Sequence, residues 1–144
     1  MMKRIVLIAG VLVAGYMSLW RYFPDREAPE SIVLPMEYMA TASALYEEDF
    51  AKAKSSLQVL VASSTGDLRS KAQTAAAAPD IEAMREAFKT LTEEVAINMS
   101  YPDEYAVAFC ANYKDGSKWI QKREAPIANP YLGKSKAACG SFVD

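Results

Sequence analysis

The sequence contains no histidine. That absence removes Ser-His-Asp and Cys-His nucleophile pairs, histidine proton shuttles and every metal site that needs imidazole. Cysteine is scarce as well: Cys110 and Cys139 are the only two in 144 residues. A single chain therefore cannot build a four-thiolate zinc site, and no C-x-x-C pair exists for dithiol redox chemistry. There is no basic excess either, because 16 Lys and Arg stand against 18 Asp and Glu for a net charge of -2. Few phosphates can be neutralised by such a surface, so nucleic acid is not an expected partner. An EF-hand loop, a phosphate loop, a dinucleotide fingerprint and internal repeats are all lacking. With no visible general base or activated nucleophile, the chain reads as a non-enzyme.

What is present starts with an export-like segment. Lys3 and Arg4 precede an unbroken apolar or small run from Ile5 through Trp20. A basic start followed by such a run marks a chain for export. At ~1.5 Å rise per residue the run falls slightly short of a ~30 Å bilayer core. Tyr22 and Phe23 extend it, and Arg21 can snorkel to the headgroups. Residues 1–23 are read as an uncleaved membrane anchor, which places the remainder on the periplasmic or outer side of a bacterial inner membrane. The alternative is a signal peptide cleaved after Val13-Ala14-Gly15, releasing the domain to the periplasm. No cysteine lies near the segment for a lipid anchor.

Residues 24–33 carry Pro24 and Pro29, have no hydrophobic period and read as a linker. Residues 34–144 then form one small domain. Pro35 suits the first turn of a helix bearing Met39, Ala42, Leu45 and Tyr46. Asp49 can cap a second helix with the stripe Phe50, Ala53, Leu57, Leu60 and Val61. Asp67 can cap a third, alanine-rich helix that ends before Pro79. Asp80 can cap a fourth, with Ile81, Met84, Phe88, Leu91, Val95 and Met99 on one face. Charged residues in Glu47–Lys54 and Glu82–Glu94 read as solvated faces, and Glu47-Glu48-Asp49 as capping and solvation. Met36, Met39, Met84 and Met99 sit at helical spacing and read as core. Short connections predict an all-α fold, an antiparallel bundle of about four helices behind an N-terminal membrane helix.

After Tyr101-Pro102 the helical period stops, and Ser117–Glu124 offers one further short helix. The tail is too apolar to stay in water: Phe109, Tyr113, Trp119, Ile120, Ile127, Tyr131 and Phe142 need burial. It is expected to fold back irregularly over the bundle. Trp119 would cover the helices, Asn129-Pro130 would turn the chain, and Gly133 would supply a backbone angle that other residues resist. A ligand-binding aromatic surface built on Trp119, Asn129 and Tyr131 is the other reading.

Residue identity becomes specific within this tail. Cys110 is followed by Gly116-x-x-Trp119-Ile120, then Ile127-x-Asn129-Pro130-Tyr131-x-Gly133, then Cys139-Gly140. The series resembles a small helical domain of unknown function found in exported bacterial proteins and at the C-terminus of some copper and silver efflux adaptor subunits. Members commonly read C-P-M-A, then G-x-x-W-L, then I-x-N-P-Y-x-G-x-x-M-x-x-C-G. Leu45 before an acidic turn and Arg85-x-x-Phe88-x-x-Leu91 also fit that layout, so the resemblance spans about residues 34 to 144.

The resemblance implies binding of a soft ion, Cu(I) or Ag(I), by cysteine and methionine near the C-terminus. This chain departs from the pattern at the donors. Ala111 and Asn112 stand where members have proline and methionine, and Lys136 stands where they have the second methionine. Three fates therefore remain open for Cys110 and Cys139: a structural disulfide favoured by an oxidising compartment, soft-metal ligation in the reduced form, or free thiols. The expected function is a membrane-tethered binding or interaction module of the envelope, related to heavy-metal handling, with envelope efflux or metal-handling proteins as partners. The alternative is a structural accessory protein with a disulfide-stabilised docking surface and no bound metal.

Fractionation tests the anchor. The full-length chain should stay with membranes, with residues from about Pro24 onward open to protease from the outer side. A soluble periplasmic chain beginning near Tyr16 would refute the anchor and leave export standing.

Overall fold

The computed structural model of the chain describes residues 34–136 and 138–143. The anchor segment 1–23 and the linker 24–33 lie outside the described residues, among which no helix is long and apolar enough to cross a membrane. Four helices come first: α1 Met36–Tyr46, α2 Phe50–Ser63, α3 Gly66–Ala76 and α4 Ile81–Asn98. Three strands follow: β1 Tyr105–Cys110, β2 Ser117–Lys122 and β3 Ser141–Phe142. Each helix packs on the next in chain order, and α4 also packs against β2.

The helix starts follow capping chemistry. The Asp49 carboxylate accepts from the Lys52 amide at 2.9 Å, and that of Asp80 accepts from the Ala83 amide at 2.8 Å. Met84, Phe88, Leu91 and Val95 form the buried face of α4. Ala72 and Ala75 of α3 are fully buried, and their small side chains let backbones come close. The cap of α3 differs from expectation: Thr65 holds that position and Asp67 lies inside the first turn, where its charge still favours the helix N-terminus. Met36 also departs from its core reading, being 69% exposed.

The all-α expectation is overturned by the tail, which is a three-stranded antiparallel sheet in the order β2-β1-β3. The stretch read as a short helix, Ser117–Glu124, is instead mostly β2. Tyr105 faces Lys122 and Cys110 faces Ser117 across the β1–β2 ladder. Lys114, Asp115 and Gly116 turn the chain between them with φ of 39°, 64° and 94°. Trp119, Ile120 and Gln121 are all buried. Polar Ser117 and Gln121 occupy buried positions, and Ile120 is buried between exposed Lys118 and Lys122, so the strand period is invisible in the sequence.

Arg85 joins the two parts. It is buried in the middle of the fold at 3% exposure. Its Nη2 donates to the Leu45 carbonyl at 3.1 Å and its Nε to the Pro130 carbonyl at 3.0 Å. Nη1 reaches Glu82 at 2.6 Å. The last turn of α1 has no basic residue of its own. Arg85 therefore brings positive charge from another helix to the negative end of α1. The Lys134 amide adds a bond to the Tyr46 carbonyl at 2.8 Å, so the tail caps the same end.

Replacing Arg85→Met keeps the stem and removes the donors, leaving two buried carbonyls without their bonds. It should lower stability by roughly 2–5 kcal/mol. Glu82→Gln, at the exposed end of the same cluster, should cost less than about 1 kcal/mol. Denaturant unfolding of both variants checks the ranking, and an Arg85→Met midpoint equal to wild type would remove the arginine from this role.

Candidate functional site

The tail is held in place by named contacts from each of its motif residues. Cys110, at the end of β1, and Cys139, just before β3, form a disulfide with Cα atoms 5.5 Å apart. The bridge closes a loop of sequence separation 29. Constraining the unfolded chain over such a loop stabilises the fold by about 3–4 kcal/mol in the chain-entropy model. Asn129 is buried and works in both directions. Its amide donates to the Cys139 carbonyl at 2.9 Å, and its side-chain oxygen accepts from the Tyr131 amide at 2.9 Å. The Asn129-Pro130 turn thus carries the chain from the sheet to the end of α1. Gly133, at φ +75°, lets the backbone pass where a Cβ would come within 2.6 Å of Arg85 Nη2. Gly140 does the same against Trp119, whose ring would meet a Cβ at 2.5 Å.

Trp119 is fully buried, and its indole N–H donates to Gln121 Oε1 at 2.8 Å. Tyr131 packs edge-on to Trp119 and stacks with Tyr113 at 5.1 Å between ring centroids. Tyr38, absent from the sequence-derived stripe of α1, stacks on Phe88 at 5.0 Å. Tyr38, Thr92 and Tyr131 also share a line of hydroxyl contacts. The ends fix its direction. The Ile120 amide donates to the Tyr38 oxygen at 3.2 Å, and the Tyr131 hydroxyl donates to the Lys118 carbonyl at 2.6 Å. Each hydroxyl has one proton, so Tyr38 donates to Thr92, and Thr92 to Tyr131.

The metal ligands implied by the motif do not fit a soft ion in this state. Both thiols are consumed in the disulfide, and Asn112 and Lys136 are exposed side chains without a thioether. Among the described residues no group of three or more Cys, Asp or Glu side chains gathers. The acidic run after α1 is bonded elsewhere. Glu48 accepts from the Ser135 hydroxyl at 2.8 Å, and Glu47 pairs with Lys134 at 2.6 Å.

A groove between α1 and β2 was not anticipated from the sequence. It encloses about 300 Å³. Met36, Met39 and Tyr46 of α1 form one side, and Ile120, Lys122 and Pro126 form the other. Gln121 lies in its lining, buried, with both ends of its amide engaged. Its oxygen accepts from Trp119 and from the Ala128 amide, and its nitrogen donates to the Pro126 carbonyl at 3.2 Å. Comparison with family models, with curated proteins and with solved structures returns no match for the chain.

Burial raises Tyr38 from its ordinary value of 10.0 to about 12, against the smaller opposing effects of its bonds to Thr92 and Ile120. Burial also pushes Tyr131 well up. Both phenols hold their protons more tightly folded than unfolded. Their contribution to stability is complete below pH 10 and is lost as pH rises towards about 12. Alkaline titration should therefore show flat stability up to pH 10 and a decline above it. Tyr38→Phe should flatten part of that decline. Phenolate absorbance followed together with circular dichroism makes the measurement, and full ionisation of every tyrosine in a still-folded chain would contradict it.

Proposed function

We propose that the chain is an exported, membrane-tethered interaction module of the cell envelope. Its described domain is a disulfide-closed scaffold that offers the α1–β2 groove to an apolar group. The observation that carries this reading is the open groove itself: about 300 Å³ lined by apolar side chains, at the lower end of the size range of ligand sites. Its methionines are adaptable walls, suited to receiving a shape that the protein does not itself fill. The tail motif relates the chain to the exported helical domains of heavy-metal handling. The cysteine pair of that motif serves here to fasten the tail, part of which forms a wall of the groove.

Two titrations of the full chain in lipid nanodiscs test the reading. Indole, a soluble apolar probe, should raise the unfolding free energy by about 1.4 kcal/mol at ten times its dissociation constant. Met39→Trp, which fills the groove, should abolish that gain. The oxidised chain should take up neither Cu(I) nor Ag(I) tightly, and reduction should expose the two thiolates to both ions. Asn112→Met with Lys136→Met should strengthen uptake in the reduced form. Absence of any indole effect would remove the groove as a site. Tight Cu(I) or Ag(I) binding by the oxidised chain would restore the metal-carrier reading in its place.

A further inference from the structure

The lining of the groove narrows the chemistry of its ligand, provided that the groove is the binding site proposed above. The buried polar group in the wall, Gln121, already bonds within the chain through both its oxygen and its nitrogen. A polar ligand group lying against it would break those bonds without replacing them, which is unfavourable in a buried setting. The body of the ligand must therefore be apolar. Polar recognition is left to the remaining polar residues of the lining, Ser43, Tyr46, Tyr105 and Lys122, of which Lys122 is exposed and is the one that carries charge. Its ammonium lies 5.9 Å from the centre of the Tyr105 ring. Among the described residues it has no carboxylate partner: the Glu47, Glu48, Glu82, Glu86 and Glu94 pairs all involve other cations.

We propose that the groove binds an anionic amphiphile, a medium-chain acyl carboxylate whose tail lies between Met36, Met39 and Ile120 and whose carboxylate meets Lys122. Volume sets the length. At about 30 Å³ for a water-sized group, the groove holds on the order of ten such groups, which suits an acyl chain of roughly eight to ten carbons. Charge sets the head. A cation beside an aromatic ring at the mouth of an apolar slot attracts a carboxylate and repels an amine. The bond to Lys122 is partly solvated, so it adds selectivity to an affinity that burial of the tail supplies.

The test uses the full chain in lipid nanodiscs and two photoactivatable probes, decanoic acid with a terminal diazirine and the matching alcohol. Labelled residues are mapped by mass spectrometry. The acid should label α1 and β2 residues of the groove about fivefold more than the alcohol does, the scale of one partly exposed ion pair. Lys122→Gln should reduce labelling by the acid to the alcohol's level, and Met39→Trp should suppress labelling by both probes. Equal groove labelling by acid and alcohol, unchanged in Lys122→Gln, would overturn the carboxylate assignment and leave the groove reading in place. Labelling by neither probe above the Met39→Trp background would overturn both.

Discussion

A guanidinium buried between two helices and a turn is the constraint on which the rest of this fold depends. Arg85 donates to the carbonyls of Leu45 and Pro130, residues that are 40 and 45 positions away in the chain. Desolvating a positive charge is expensive, and here the compensation comes mostly from backbone dipoles and from Glu82. Those dipoles belong to the end of α1 and to the Asn129-Pro130 turn. Neither partner can be moved without stranding the charge. The helices and the sheet are thus registered against one another by directional bonds as well as by the apolar face of α4.

The same economy of fastening extends through the tail. Asn129 shapes the turn and holds the Cys139 carbonyl, and the disulfide ties Cys139 back to β1. Two glycines then make room for Arg85 and for Trp119 where any Cβ would collide. With the tail fixed this firmly, the segment around Ala125 to Ala128 becomes a wall rather than a loop. The groove results from that: α1 presents Met36, which no other described element covers, beside the partly buried Met39, and the fastened tail faces them across β2. The cysteine pair, closed as a disulfide, is here used for anchoring a surface.

The helical half of the domain was legible because its signals are local. Asp49 and Asp80 mark helix starts through bonds to amides three residues on, and α4 shows its buried stripe at helical spacing. Tyr38 and Thr41 escaped notice because a hydroxyl disguises a core position until its partner is known, and the partner of Tyr38, Thr92, is 54 residues distant. The strands escaped for a related reason. Ala106 and Ala108 carry little strand preference, and in β2 the polar Ser117 and Gln121 are buried while Ile120 sits between exposed lysines, so no alternation of polar and apolar residues survives. The pair Asp115-Gly116, between two aromatic runs, was the one local sign of a hairpin. The groove had no such sign, since it arises from two segments about 80 residues apart that only the folded chain brings together.

The line of hydroxyls from Tyr38 to Tyr131 has a consequence for how these molecules coexist at high concentration. Among the described residues β2 stands at an edge of the sheet, paired with β1 alone. An unpaired edge is a template on which a second chain can add a strand and start an aggregate. Here the outward Ile120 amide is taken by Tyr38, and the outward Lys118 carbonyl by Tyr131. Two side chains from distant parts of the sequence thus occupy neighbouring backbone positions that a foreign strand would need. A sheet edge is thereby closed without a further strand, and the tyrosines that fill the core also keep one copy of the protein from pairing with the next.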